Sequence, residues 1–309
     1  MKRQRGIALM LMFALLFIAG TGALISVLSN NRTEQRRKAA TLAALQEARD
    51  AVISYAVSYG DFFGDTGAGP GHLFCPDTNN NGAENLPCAN NALGRLPQNL
   101  SLPSGQTFYL SRFNADADQQ FWYAPANSFR RNPAGAINTS SQGTLTVDGT
   151  TRIVAILIAP GDVTGTQSRT SNAAADYLDG GNTTAPAFFT SDTVTPANFN
   201  DLLVMITDRE LWSPVSARVA EKIRGALDSY HVSTGSYPIN QAIYTNMVNG
   251  VFNGGLSPLP AWHASNNWLG ITTYTRLTAD SATIQFGGCN ITYTINFAAT
   301  AIARNQSLC

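Results

Sequence analysis

The chain is poor in charge. Asp, Glu, Lys and Arg make up 13% of its 309 residues, about half of the ~25% usual in a globular protein. Lysine occurs only as Lys2, Lys38 and Lys222, and twenty basic residues balance twenty acidic ones. That balance excludes an acidic or basic disordered tail. It also excludes a general nucleic-acid binder, because neutralising phosphates requires clustered positive charge. Catalytic signatures are lacking as well: there is no H-E-x-x-H, no G-x-S-x-G and no phosphate loop. His72, His231 and His263 stand apart, without metal-ligand spacing, and His231 is expected on the surface near a helix end. Asp116 and Asp118 could pair as carboxylates, but their surroundings read as a solvated loop. The sequence therefore points away from an enzyme.

Charge is missing altogether along one stretch. From Gly6 through Asn31 no residue is charged, and Ile7–Leu28 reads IALMLMFALLFIAGTGALISVL. A helix of that length covers roughly the 30 Å hydrocarbon core of a bilayer. It has no polar face, so it reads as a membrane segment rather than a core helix. Basic residues flank it: Lys2, Arg3 and Arg5 before, Arg32, Arg36, Arg37 and Lys38 after. Residues 39–309 carry 13 positive and 19 negative charges, a net of −6.

Proline and glycine are missing from Thr33 to Tyr59, where good helix formers predominate. Leu42, Leu45, Ala48, Val52, Tyr55 (or Ala56) and Tyr59 recur every three or four residues, the stripe of one helix face. The spacing predicts one helix running from the apolar segment into the body. Three membrane readings compete: a secretory signal cut after Thr21-Gly22-Ala23, a plain anchor, and a prepilin leader cut before the apolar run. The leader MKRQRG ends in glycine and abuts the apolar run directly. Glycine has no Cβ and lets a protease approach closely. A cleaved signal would normally give way to a mature start, not run on as one long amphipathic helix.

On these residues the chain resembles type IV pilin-like proteins, of the minor pilin or pseudopilin kind. The resemblance implies cleavage after Gly6 by a prepilin peptidase and N-methylation of Ile7. The family usually carries glutamate at the fifth mature position, where it meets a neighbour's terminal amine; here that position is Leu11. A charge inside a membrane is costly unless paired, so its loss suits a tip or initiating subunit, the alternative being an ordinary subunit that lacks one contact. Further partners implied are other pilin subunits, the inner-membrane assembly machinery and the bacterial inner membrane. The implied placement is single-pass in the inner membrane with a periplasmic head, then the pilus or cell surface. A type II secretion pseudopilin is the alternative within the class. A soluble binding or enzymatic domain released by signal peptidase is the alternative outside it. Short stretches along the body also match large prepilin-type proteins: Cys75-Pro76-Asp77-Thr78 with Cys88, Gly94-Arg95-Leu96-Pro97, Val154–Gly161 and Phe199-Asn200-Asp201.

The body reads as α+β, an antiparallel-sheet head after the long membrane-spanning helix. Strands are expected over 144–147, 153–158 and 283–297, with long loops from Gly161 to Phe199. Arg49–Gly60 and Arg224–Gly235 share seven of twelve positions at an offset of 175. Chance aside, that suggests two tandem pilin-like modules, with a second helix over 214–231. The expected division is leader 1–6, helix 7–59 with 7–28 transmembrane, first head module 60–210 and second module 211–309.

Cys75, Cys88, Cys289 and Cys309 are even in number and suggest disulfides. Three pairings are possible. The local ones, Cys75–Cys88 and Cys289–Cys309, would close short loops, and a C-terminal pair is also a habit of pilins. Zinc is the alternative, with only His72 near and no C-x-x-C. Asp77, Asn79 and Asn81, followed by Gly82, copy the first half of a calcium loop. Cys88 stands where the closing glutamate belongs, so a disulfide-pinned turn competes with calcium, the one cofactor considered. Phe121-Trp122-Tyr123, Trp262 and Trp268 read as core, with a ligand platform as the alternative.

Overall fold

The computed structural model describes residues 3–62, 68–102, 107–110, 120–131, 135–165, 167–190, 199–255, 257–299 and 301–306, and up to residue 31 the helix backbone alone. Helix α1 (Arg3–Phe62) is continuous over 60 residues. The chain divides into two compact units, Met1–Ala44 and Leu45–Cys309.

In the first unit, residues 32–40 are exposed on every side of the helix. Lys38 and Glu34 pair at 3.0 Å one turn apart, an exposed contact worth only a few tenths of a kcal/mol. Among the described residues no helix is long and apolar enough to cross a membrane. This corrects the expected single-pass inner-membrane placement. Between Arg32 and Asp61 α1 carries nine charged residues, and such a segment is too polar for hydrocarbon. The side chains of Ile7–Leu28 lie outside the described residues.

In the second unit, the C-terminal part of α1 buries Leu45, Ala48, Val52, Tyr55, Ala56 and Tyr59, while Leu42 remains 39% exposed. The period-3.6 stripe is thus the face on which the head is built. The larger sheet has six strands: β1 (Gly94–Arg95), β4 (Trp122–Pro125), β5 (Leu145–Val147), β6 (Thr150–Ala159), β7 (Ala187–Phe188) and β8 (Leu202–Thr207). Its order is β1-β4-β6-β5-β7, with β8 also paired to β6. Ile153–Ala159 is buried throughout, which explains its unbroken apolar run: both faces are covered. A short hairpin, β2 (Asn99–Ser101) with β3 (Thr107–Tyr109), stands beside it.

The smaller sheet is antiparallel, in order β12-β11-β10-β9, from β9 (Thr272–Thr278), β10 (Ser281–Phe286), β11 (Ile291–Asn296) and β12 (Ala303–Gln306). In β10 and β11 buried residues alternate with less buried ones, as expected of a sheet covered on one face.

The expected fold class needs correction on two points. The head is not an antiparallel-sheet head, because β5 and β7 pair in parallel, Thr146 with Ala187 and Val147 with Phe188. A parallel pair requires a long connection rather than a hairpin, and the stretch after β6 supplies it. The helix before the head is also not a membrane span among the described residues.

Helix α2 (Asp208–Thr234) begins earlier than the expected 214–231. Thr207 and Glu210 form a capping box, and Asp208 and Glu210 place negative charge in the first turn, both favourable at a helix N-terminus. Gly235, at φ 78°, closes the other end. Leu211, Trp212, Val215, Val219, Ile223 and Leu227 are fully buried, and α2 lies against β6, β8 and β11. Among the described residues three shorter α-helices follow: α3 (Gln241–Val248), α4 (Ala261–Ser265) and α5 (Trp268–Ile271).

The internal repeat has local counterparts. Ser54 donates to Asp50 O and Ser229 to Gly225 O, each four residues back. Arg49 donates to Met205 O at 3.0 Å and Arg224 to Ala299 O at 2.7 Å. Burial differs between the copies: Tyr55 is fully buried and Tyr230 half-buried, while Val57 is half-buried and Val232 is 76% exposed. His231 is buried rather than on the surface. Its Nε2 lies 2.7 Å from Asp280 Oδ1, and its ring stacks on Phe297.

Candidate functional site

The site grows from the disulfide loop. Cys75 and Cys88 are bonded, with Cα atoms 5.4 Å apart. Cys289 is also disulfide-bonded, and Cys309 lies outside the described residues. Inside the Cys75–Cys88 loop, Glu84 accepts from Cys75 N at 3.1 Å and pairs with Arg131. The loop is thereby tied to the segment after β4.

Asp77, Asn79 and Asn81 organise the turn within this loop. Asp77 Oδ1 accepts from Asn79 N and Asn81 N, both at 3.2 Å, and Oδ2 from Gly82 N at 2.6 Å. Asn79 Oδ1 accepts from Asn81 N, and Asn81 Oδ1 from Ala83 N. These are Asx-type turns, in which a side-chain oxygen replaces a backbone acceptor. Among the described residues no group of three or more His, Cys, Asp or Glu gathers as a metal site.

Asp77 is also held by its backbone. Its amide donates to Arg95 O at 2.9 Å, and Arg95 N donates to Asp77 O at 2.7 Å. A Cβ on Gly94 would lie 2.5 Å from Asp77 O, so glycine is what lets the two segments meet. Through β1, Arg95 pairs with Trp122 of β4. Its guanidinium carbon lies 4.9 Å from the Trp122 ring centre and 4.2 Å from that of Tyr177. Both distances suit cation–π attraction.

A pocket of about 90 Å³ opens at this junction. Asp77, Thr78, Arg95 and Trp122 line one side, Asn172 and Thr183 the other. That second side belongs to a strap, residues 167–190, which leaves β6 and returns towards β8. Asn172 Nδ2 reaches across to Asn79 O at 3.4 Å.

A buried polar clasp closes the strap. Asp179 N donates to Asp201 Oδ2 at 2.8 Å, and Asn200 N donates to Asp179 Oδ2 at 2.8 Å. Asn182 Nδ2 donates to the same Asp201 oxygen at 3.0 Å. Thr164 and Gln167 donate to Asp179 Oδ1 at 2.7 and 2.9 Å. Asp201 is 2% exposed, and its Oδ1 has no hydrogen-bond partner among the described residues. Burial pushes the Asp201 carboxyl up to about 7. The backbone amides of Asp179 and Gly161 and the side-chain amide of Asn182 oppose that rise, while the Asp179 charge adds to it.

Of the residues singled out from sequence, Cys75, Cys88, Asp77 and Trp122 come together here. Asn79 and Asn81 stand behind Asp77 as turn formers. Trp262 and Trp268 are buried in the core, away from the pocket lining. Gly6, Ile7 and Leu11 lie on α1 where only the backbone is described, and Asp116 and Asp118 lie outside the described residues. Sequence reasoning missed Tyr177, Asp179 and Asn182, which sit in a stretch without periodicity. Arg95 and Asp201 fall in the quoted stretches Gly94–Pro97 and Phe199–Asp201, but nothing in their spacing announced burial.

Comparison with protein-family models, curated proteins and solved structures gives no match.

Proposed function

We propose that this protein is a structural subunit of a filament of the type IV pilin kind, assembled through α1, with the Leu45–Cys309 unit serving contact rather than catalysis. One observation carries the reading. Helix α1 continues without a break from Arg3 to Phe62, through the Thr21-Gly22-Ala23 site where a signal peptidase would cut. Its last turns are the buried spine of the head. A cut after Ala23 would divide a single continuous element. A cut after Gly6 would leave the uncharged run, the basic collar and the spine within one helix. The Cys75–Cys88 disulfide adds support for an oxidising compartment.

The test is the intact mass and terminal sequence of the mature protein, recovered from filaments sheared off producing cells. The expected chain begins at N-methylated Ile7. A chain beginning at Leu24, or one still carrying Met1, would sink the proposal.

A further inference from the structure

Most polar groups that hold the strap have partners; Asp201 Oδ1, which faces it from just before β8, has none among the described residues. It is a buried oxygen beside a second buried acid, Asp179, which already accepts three hydrogen bonds. Among the described residues Asp179 is the one group whose charge acts appreciably on Asp201. The nearest cation along the strap, Arg169, has its guanidinium on Gly161 O. Two ionised carboxylates so placed repel, and only the amides of Asp179, Asn182 and Gly161 offset the cost of burying the Asp201 charge.

Two occupants could relieve this: a cation or a proton. Calcium takes six to eight oxygen ligands. Here the other three carboxylate oxygens are committed to backbone and side-chain donors, so one free oxygen cannot build such a shell. A proton needs only that one oxygen.

We propose that the Asp179–Asp201 pair is a proton-operated clasp on the strap: with Asp201 protonated the strap is held closed over the pocket, and with Asp201 ionised it loosens. The sign follows from burial. The folded clasp holds its proton to about pH 7, whereas an opened, solvated aspartate loses it near pH 4. Between those values the closed form binds more protons than the open one, so raising the pH favours opening. For such a pair of values the opening equilibrium rises ~30-fold between pH 5.5 and pH 8. Asn172, Ala174 and Thr183 line the pocket from the strap, so access to the pocket changes in the same sense. This inference does not rest on the filament reading.

The experiment is amide hydrogen exchange of the full chain at pH 5.5 and pH 8, corrected for intrinsic exchange, with EDTA present throughout. Protection of amides in 173–184 is expected to fall at least tenfold at the higher pH, while amides of β6 stay unchanged. Asp201→Asn keeps an acceptor for Asp179 N and removes the charge, so its strap protection is expected to be the same at both pH values. A wild-type strap indifferent to pH would overturn the proposal. So would an Asp201→Asn variant that keeps the full pH response, or calcium, added in place of EDTA, that restores protection at pH 8. Should Asp201→Asn fold poorly, Asp179→Asn supplies the second arm: removing the neighbouring charge is expected to move the transition to lower pH, and no movement would count against the pair.

Discussion

Replacing Cys75 and Cys88 together by serine tests how much of the head depends on one covalent link. The two residues are 13 apart in sequence. In the chain-entropy account, releasing a loop of that size adds about 10 cal/mol/K to the unfolded state, or ~3 kcal/mol at 25 °C. The folded side keeps its non-covalent ties: the Glu84–Arg131 pair, the Asp77 turn and the backbone bonds between Asp77 and Arg95. The variant is therefore expected to fold, with a transition lowered by roughly 6–12 °C for a unit of this size. The assay is calorimetry of wild type and double variant without reductant, so that the disulfide of Cys289 is untouched. A loss within 1 °C would refute the reasoning, because the loop would then be constrained equally without its link. Failure to fold would refute it in the other direction, making the disulfide the organiser of the turn rather than a brace on it.

Three further outcomes follow from the same geometry. A Cβ on Gly161 would fall 1.9 Å from Asn200 Oδ1 and 2.6 Å from its backbone oxygen; Gly161→Ala should therefore cost roughly 1–3 kcal/mol, and urea denaturation of Gly161→Ala with Asn200→Ala should show a combined loss smaller than the sum. Thr207→Ala removes the capping box of α2 and should lower stability by about 1 kcal/mol; a change below 0.3 kcal/mol would mean that packing alone starts the helix. Burial pushes His72 and His263 down to about 4, below the ordinary 6.5, so both should stay neutral at pH 5.5. Their contribution to stability is present above pH 6.5 and lost as pH falls towards 4. Imidazole NMR signals titrating near 6.5 would contradict their burial.

The membrane expectation and the clasp show where sequence and structure part. Hydrophobic periodicity is a local property, and it placed the α1 stripe residue by residue from Leu45 to Tyr59. It likewise placed β5, the buried run of β6 and the β10–β11 hairpin, because each segment satisfies its own backbone period. The end of α2 was also legible, since glycine at a left-handed position stops a helix. Its start was not: the capping box of Thr207 and Glu210 begins the helix at Asp208, well before the expected residue 214.

Only tertiary structure decided the rest. The parallel pairing of β5 with β7 depends on where a long connection returns, and no residue in either strand encodes direction. The partner of Cys75 was one of three possibilities until the Asp77 turn and β1 brought Cys88 within reach. Arg95 and Asp201 look like surface residues in sequence, since charge predicts exposure. Both are buried because Trp122 and Tyr177 give the cation a ring surface, and because Asp179, Asn182 and Asn200 meet Asp201 from distant points along the chain. Burial of a charge is a property of the surroundings, and these surroundings are assembled from segments that no local pattern connects.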